Sequence, residues 1–450
     1  MPRFAGNVGS FFEKTLTKIE LCKVGYWSTV IIVFLSLLVI GRERIEFAHL
    51  WAEDGSIFLN QHFQAGWSAV FAPYHGSYHS LPRLVVFLVE TFLPLVYLAK
   101  AFVLICFGLS ALLLAQFSRP KFRQYVKSDL VRMLICLSFA FLPGAREVIG
   151  NLTNLHWILN LAVFFVAVTP SRSRLSPADL LIVFIAASSA VESIVFVPLL
   201  LLRNISGLRR KTGFELIPIS SLAVLVFFAL VNFIARTSNP VDMQLSLPIG
   251  RSIEALFVAG GRSVVLDTLL GERGVMFLGS LGWFPALSVA SSGIFLGILF
   301  VLYRSSSHRL FLIGVGLWFM TLVMMFMARP WSLDMFGAKG IPIGWFEHRY
   351  SWVLPFGPLL WAILVEVLAS KRRVALQVLL MMWIILHVND VKELHALGTT
   401  LSWERTAARV EKSRITGCPS KVRIKHYPRP WGFAYHSKVE NDGCKKALIR

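Results

Sequence analysis

Long, continuous runs of apolar residues recur along the chain and are separated by short polar segments. Several runs reach about 18 residues, the length a helix needs to cross roughly 30 Å of hydrocarbon. Because the apolar residues are consecutive and do not alternate with polar ones, they predict helices. The predicted fold class is an all-α polytopic membrane protein with about eleven transmembrane helices. These are residues 24–40, 95–117, 130–143, 155–169, 178–190, 193–202, 214–235, 275–303, 310–328, 350–369 and 374–388.

One apolar segment is too short for this pattern. The stretch SLPRLVVFLVETFLP, residues 80–94, is bracketed by Pro82 and Pro94. Proline interrupts helices, so we predict a re-entrant or tilted half-helix and not a crossing. The preceding residues, 42–80, predict a polar outer loop that starts with a juxtamembrane helix after the first span.

The charge balance orients the predicted helices. The chain has 450 residues, of which 56% are hydrophobic and 16% charged, and its formal net charge is +20. Lys and Arg cluster between the apolar runs, in SRPKFRQYVK, RNISGLRRK and SKRR, as in membrane proteins that keep such clusters in the cytoplasm. This arrangement gives no reason to expect nucleic acid as a partner. With the half-helix excluded as a crossing, the N-terminus is cytoplasmic and the C-terminus extracytoplasmic.

The same pattern divides the chain into a membrane domain, residues 1–389, and a small basic extracytoplasmic tail, residues 390–450. The tail holds Cys418 and Cys444, and whether an oxidising compartment bridges them stays open. The other three cysteines lie in or beside spans, where a small buried apolar residue is the ordinary interpretation.

Adjacent carboxylates follow the first span, in the stretch HLWAEDGSIFLNQHF. Glu53 and Asp54 are the candidate catalytic residues, because a carboxylate at the edge of a membrane can act as a general base. We expect Asp54 to be the leading base and Glu53 its partner or substitute. The competing interpretation is structural: acids in the first turn of a helix stabilise its dipole.

Cations near the predicted outer surface are candidates for binding a phosphate. Arg83 begins the half-helix, and Arg349 follows His348 in WFEHRYSWVLP. The guanidinium group offers phosphate two parallel hydrogen bonds, which an ammonium group does not. Alternatively, each cation marks the membrane interface.

Aromatic and histidine side chains flank the acidic pair on both sides. The candidate substrate-binding residues are Trp51, Tyr74, His75, Tyr78 and His79. Their rings can stack on sugars, although Trp and Tyr also form a belt at every membrane interface. Glu90, within the half-helix, is a further functional candidate because acids inside the membrane are costly to maintain.

The motifs WAEDGSIF, PYHGSYHSLPRL, NLTNLHW and EHRY, with the order of spans around them, resemble the bacterial GT-C superfamily of integral-membrane glycosyltransferases. The resemblance implies a GT-C-like helical fold and an inverting transfer of sugar from a polyprenyl phosphate. It also implies that an acid of the first outer loop, Asp54 or Glu53 here, acts as the base or binds a metal. Because the chain lacks an Asp-x-Asp motif, the use of Mg²⁺ or Mn²⁺ stays open and no cofactor is certain.

The expected function is therefore transfer of a sugar from a polyprenyl-phosphate donor to a cell-envelope glycan, such as the O-antigen of lipopolysaccharide. The expected location is the outer face of the bacterial cytoplasmic (inner) membrane, with the lipid bilayer, donor and glycan acceptor as partners. Alternatives are a flippase or transporter of lipid-linked sugars, an O-antigen ligase and a membrane O-acyltransferase.

Overall fold

The computed structural model describes residues 24–74, 77–142, 145–170, 173–209, 216–238, 373–392, 403–416, 422–425 and 432–435, with a few single residues between 270 and 293. The regular secondary structure of this part is helical except for one hairpin, so the all-α prediction is confirmed for it apart from that hairpin, which was not predicted. The α-helices are α1 (Tyr26–Ile40), α2 (Arg42–Glu46), α3 (Asn60–Ala65), α4 (Ser80–Phe92), α5 (Leu98–Leu114), α6 (Asp129–Ser138), α7 (Ala145–Val148), α8 (Leu155–Ala167), α9 (Pro177–Ser189), α10 (Val197–Arg209), α11 (Leu216–Ser238), α12 (Arg373–Lys392) and α13 (Trp403–Thr416). A π-helix spans Asp54–Leu59, and the strands are β1 (Val422–Lys425) and β2 (Gly432–Tyr435).

Helix α5 packs against several of the other described helices, including α1, α4 and α8. With the 3₁₀ turns at both ends it forms a helical stretch of 30 residues, Leu95–Gln124, whose most apolar 18-residue window has a mean hydropathy of 2.3. Among the described residues this is the one stretch long and apolar enough to cross a membrane, and it coincides with the predicted span 95–117. Four other apolar helices are shorter: Tyr26–Ile40, Leu155–Ala167, Pro177–Ser189 and Pro218–Asn232. The count of eleven crossings stays a prediction.

Helix α1 packs along α5. The Tyr26 hydroxyl donates to the Leu112 carbonyl over 3.0 Å, and the Gln116 amide donates to the same hydroxyl. At the other end of α1, Gly41 lies so close to Phe107 that a Cβ would overlap its ring. The far side of α1 exposes large apolar residues four apart: Trp27, Ile31, Leu35 and Val39. Such a stripe is typical of a surface that faces lipid or another protein.

Helix α4 has the same two-sided character. Leu84, Leu88 and Phe92 are exposed on one side. Arg83, Val86 and Glu90 lie on the opposite side, where the first two are buried and Glu90 is nearly so. Helix α4 has 13 residues and ends just before Pro94, as the predicted half-helix requires, while its re-entrant path stays a prediction.

Basic side chains gather at the Gln124 end of the α5 stretch. The buried Asp179 carboxylate accepts from Arg119 Nη1 at 2.6 Å and from Lys121 Nζ at 3.0 Å. It also accepts from the backbone N–H of Ser176, which completes a capping box at the start of α9. Two separate loops are thereby joined by one carboxylate.

Removal of this carboxylate should destabilise the fold. In Asp179→Asn, Arg119 and Lys121 lose their counter-charge, and we expect the free energy of unfolding to fall by about 3 kcal/mol, as when a buried pair is broken. Thermal unfolding of the purified protein in detergent measures the change. Glu46→Gln, which breaks the exposed Arg42–Glu46 pair, is the matched control and should change little. Equal melting temperatures for the two variants would contradict the bridging role.

The C-terminal segment returns to the opposite, Leu95 end of α5. Trp403 donates its indole N–H to the Leu95 carbonyl over 2.8 Å, and Lys100 pairs with Glu404 at 3.1 Å. Strands β1 and β2 pair antiparallel, with Val422 opposite Tyr435. Strand β2 packs against the π-helix. The tail is therefore anchored beside the segment that carries the predicted acidic site.

Candidate functional site

A helix is present where the sequence predicts one after the first apolar run, but its first turns form a π-helix; its juxtamembrane position stays a prediction. The π-helix continues directly into α3, which ends at Gly66 with φ +61°. Isolated π-turns are rare and occur frequently at functional sites. Glu53 and Asp54 stand at the start of this π-helix and differ in burial.

Asp54 is the carboxylate that points inward. Its side chain is 2% exposed. Oδ2 accepts from the Leu152 N–H at 2.9 Å, and Oδ1 accepts from the Thr153 N–H at 2.7 Å and the Thr153 hydroxyl at 2.5 Å. Burial raises the pKa of the Asp54 carboxyl to about 7, although the three hydrogen bonds oppose the shift. Asp54 thus holds the turn after α7 in place through hydrogen bonds to Leu152 and Thr153.

Arg44 holds the same turn from its other side. Its guanidinium donates to the Ile149 carbonyl and lies over the Trp51 ring at 5.3 Å from the centroid. Gly150 has φ +92°, and a Cβ there would come within 2.8 Å of Arg44 Nη1. Trp51, predicted to bind substrate, is itself buried beneath Arg44. We therefore leave Trp51 out of the substrate contacts proposed below.

Glu53 differs from its neighbour in accessibility and in partners. Its side chain is half-buried. Within the described part of the chain, Glu53 Oε2 is buried and has no hydrogen-bond partner. A carboxylate oxygen in this state has a lone pair available for a ligand hydroxyl.

Arg83 is a buried cation that, like Glu53, has side-chain atoms without a hydrogen-bond partner among the described residues. It is 2% exposed, its guanidinium lies 5.2 Å from the Phe58 ring centroid, and Nη1 donates to the Ala69 carbonyl at 2.8 Å. Among the described residues, Arg83 Nε and Nη2 have no partner. Nε and Nη2 form one edge of the guanidinium, the edge that binds carboxylate or phosphate with two hydrogen bonds.

An aromatic cluster lies between Arg83 and the turn that Asp54 holds. The His79 ring contacts Phe58, Tyr74 and His156, with centroids 5.6, 6.0 and 5.9 Å away. His79 adopts φ +49°, an uncommon conformation for a residue other than glycine and typical of constrained sites. The backbones of Tyr74 and Ser77 bond reciprocally at 2.8 and 3.0 Å and close the turn before His79.

His156 is a member of this cluster that sequence reasoning missed. Its Nδ1 lies 2.6 Å from the Thr153 carbonyl, so Nδ1 carries the proton and donates. Thr153 therefore contacts both Asp54 and His156, and His156 contacts His79. The signal in the sequence for this segment was the motif NLTNLHW, which contains Thr153 and His156 but was given no role of its own.

Glu90 also has a partner that the sequence did not indicate. His62 Nε2 lies 2.9 Å from Glu90 Oε2, and both side chains are almost completely buried. His62 is one helical turn beyond Phe58, and Glu90 is two turns beyond Arg83. The His62–Glu90 pair therefore lies further along the contact of α4 with the π-helix and α3.

Unpartnered polar atoms are concentrated in this region. Within the described residues, the buried side-chain atoms of segment 53–83 that lack a hydrogen-bond partner include Glu53 Oε2, Gln61 Oε1, His62 Nδ1, Ser77 Oγ, Arg83 Nε and Arg83 Nη2. Buried polar groups are nearly always paired in folded proteins. A concentration of unpaired ones is expected where a polar ligand completes the structure.

Of the remaining predicted site residues, one lies at the edge of this region and three lie outside the part of the chain that the structure describes. Tyr78 is half-buried next to His79. His75, His348 and Arg349 lie outside the described residues. Among the residues that are described, no three His, Cys, Asp or Glu side chains are grouped to hold a metal ion.

Comparison with known proteins does not extend this picture. No protein-family model matches the sequence, and no curated protein is significantly similar to it. The resemblance to the GT-C superfamily rests on the quoted motifs, and the reaction it implies is a proposal.

Proposed function

We propose that the chain is a bacterial integral-membrane glycosyltransferase of GT-C type. It transfers a sugar from a polyprenyl phosphate to a cell-envelope glycan on the outer face of the cytoplasmic membrane. The observation that carries the proposal is the group of unpartnered buried polar atoms that includes one edge of a guanidinium and a carboxylate oxygen. These two groups match the anionic leaving group and the acceptor hydroxyl of such a reaction.

The membrane topology is part of the proposal. The basic cluster around Asp179 marks the cytoplasmic end of the α5 stretch, in keeping with the positive-inside rule. The Leu95 end and the tail anchored there then face outward, as expected for an extracytoplasmic C-terminus. The apolar stripes on α1 and α4 supply surfaces that face lipid. About eleven crossings remain the proposed count.

In the proposed reaction, Arg83 binds the donor phosphate through Nε and Nη2. The acceptor oxygen attacks the anomeric carbon as the bond from that carbon to the phosphate oxygen breaks. Glu53 Oε2 takes the acceptor proton, and the polyprenyl phosphate leaves with the bonding electrons. One displacement inverts the anomeric centre. No second acid is needed, because a phosphate leaves readily as an anion, unlike the sugar oxygen in glycoside hydrolysis.

The geometry supports Glu53 over Asp54 as the proposed general base. Asp54 was the expected base, but its oxygens are buried and already accept three hydrogen bonds. Glu53 has a buried oxygen without a partner and a side chain that solvent reaches. We therefore propose Glu53 as the base. Asp54 is a positioning residue that holds the turn after α7 through Leu152 and Thr153.

The aromatic residues of the cluster are proposed to contact the sugar. Tyr74 and His79 line the region between Phe58 and His156, and Tyr78 and His75 belong to the same loop. Arg349 and His348 remain proposed as further phosphate contacts. Metal use stays open.

The function can be tested by reconstitution. The purified chain, in liposomes, receives a panel of labelled polyprenyl-phosphate hexoses and the envelope glycan of its host. We expect label to enter the glycan with inversion at the anomeric carbon. Movement of the lipid-linked sugar across the bilayer without transfer would favour the flippase, and neither result with any donor would contradict the proposal.

Arg83 provides a finer test at the phosphate. We expect Arg83→Lys to raise the KM for the donor at least about tenfold, because an ammonium group cannot form the bidentate contact. Arg42→Gln removes an exposed cation elsewhere on the outer loop and is the control. An unchanged donor KM in Arg83→Lys, with normal folded yield, would remove Arg83 from the phosphate site.

A further inference from the structure

Helix α13 of the tail has two distinct faces. Trp403, Ala407 and Val410 are buried and recur at intervals of four and three residues. Arg405, Arg409 and Lys412 are exposed and recur at the same intervals. Positions i, i+4 and i+7 share one face of an α-helix, so the three cations form a stripe opposite the buried face.

The apolar face of α13 is covered by protein. Trp403 is bonded to the Leu95 carbonyl, and Glu404 is paired with Lys100 near the start of α5. A helix that lies in a membrane surface buries its apolar face in lipid. Here that face is occupied, so the basic stripe points away from the membrane domain into solvent.

The stripe belongs to a strongly basic tail, one strand of which packs against the π-helix. The residues from 403 to the C-terminus include twelve Lys and Arg and four Asp and Glu. Strand β2 packs against the π-helix that begins at Asp54. Arg423 and Lys425 lie on the adjacent strand β1, opposite Ala434 and Gly432. The backbone positions of Arg423 and Lys425 are therefore one strand away from the strand that packs against the π-helix.

We propose that α13 and the β1–β2 hairpin form a docking surface for a polyanionic glycan, whose chain carries carboxylate or phosphate groups at intervals. A row of exposed cations attracts such a chain through charge summed over several contacts, which salt screens. We further infer that this polyanion is the acceptor, a part of the inference that rests on the proposed function. The acceptor would then lie along the tail with its end near Glu53.

Anionic phospholipid headgroups are the other partner with suitable charge. The packing of α13 favours the glycan, because a helix that binds a lipid surface buries its apolar face in the bilayer. The apolar face of α13 is buried against protein instead, and its cations lie on the opposite, exposed side. Both partners are included in the test.

The test measures binding without any donor, so its outcome does not depend on transfer. The full chain is placed in nanodiscs of neutral phosphatidylcholine and titrated with oligogalacturonate, with a neutral dextran of equal length as the comparison. We expect binding of the anionic oligosaccharide alone, weakened as salt rises from about 0.05 to 0.3 M. The triple variant R405Q/R409Q/K412Q should bind about tenfold more weakly, in line with the loss of three exposed ion pairs.

A matched triple variant, R42Q/K127Q/R174Q, removes three exposed cations elsewhere and should bind within about twofold of wild type. Equal weakening by both variants, or absence of oligogalacturonate binding, would overturn the docking surface. So would loss of binding to phosphatidylglycerol vesicles in R405Q/R409Q/K412Q with glycan binding unchanged. An unchanged acceptor KM in R405Q/R409Q/K412Q would overturn the acceptor assignment alone, whereas loss of transfer in all proteins would count against the proposed function.

Discussion

Glu53→Gln should reduce sugar transfer by about 10²- to 10⁴-fold, the range found when a general base is removed. Glutamine keeps the size and hydrogen-bonding shape of the side chain but cannot accept the acceptor proton. Because Glu53 Oε2 has no partner among the described residues, the substitution breaks no internal contact of that oxygen. We therefore expect normal folded yield and little change in the donor KM.

Initial rates of label transfer, normalised to folded protein, measure this effect. Glu43→Gln is the matched control, since Glu43 is exposed in the same outer loop and has no proposed role. Full activity of Glu53→Gln would remove Glu53 from the reaction. A large loss in Glu43→Gln as well would show that the loop tolerates no charge change and would leave the base unassigned to Glu53.

Asp54→Ala should act on stability instead. Its loss leaves the N–H groups of Leu152 and Thr153 without an acceptor in a buried turn, at about 1–3 kcal/mol for each group. We expect the free energy of unfolding to fall by several kcal/mol and the folded yield with it. Asp54→Asn keeps one acceptor oxygen and should be less severe, with transfer per folded molecule within about tenfold of wild type.

The pH dependence of stability distinguishes two effects of Asp54: the cost of burying its negative charge and the benefit of the hydrogen bonds that it accepts. The pKa of Asp54 is raised from 3.8 to about 7 in the folded protein. Between these values the folded state binds the proton more tightly than the unfolded state, so stability falls as pH rises through this window and levels off above about 7. The full effect is on the order of 4 kcal/mol.

Melting curves of wild type and Asp54→Asn across pH 4–8 test this sign. We expect wild type to melt at a lower temperature at the alkaline end, and the variant to lose most of that slope. A wild-type protein that gains stability from pH 4 to 7 in parallel with Asp54→Asn would contradict the buried charge. If Asp54→Asn abolishes transfer per folded molecule while Glu53→Gln keeps it, Asp54 is the base.

Several features could be predicted from the sequence because they depend on local pattern. The span around α5, the short α4 and the helix after the first span all follow from runs of apolar residues and from proline positions. The stretch WAEDG indicated both carboxylates, and Arg83 was indicated by its place at the start of an apolar segment. The structure brings Asp54, Arg83, Tyr74 and His79 into one connected cluster.

Other features depend on contacts that a local pattern does not contain. Asp54 and Thr153 are 99 residues apart, and His62 and Glu90 are 28 apart. Which of Glu53 and Asp54 faces inward is decided by the contacts of Asp54 with Leu152 and Thr153, which lie far away in the sequence. The anchoring of Trp403 at Leu95 spans 308 residues, and nothing in either segment alone indicates it.

The central claim is that the region between Glu53 and Arg83 holds a prenyl-phosphate donor, and photocrosslinking tests it most directly. A polyprenyl phosphate with a diazirine near the phosphate is added to the full chain in nanodiscs, irradiated, and the labelled peptides are mapped. We expect label within residues 53–83, strongly reduced in Arg83→Gln and competed by unlabelled polyprenyl phosphate but not by the free prenol. Competed label found only elsewhere in the chain, with Arg83→Gln labelled as well as wild type, would contradict the proposed site.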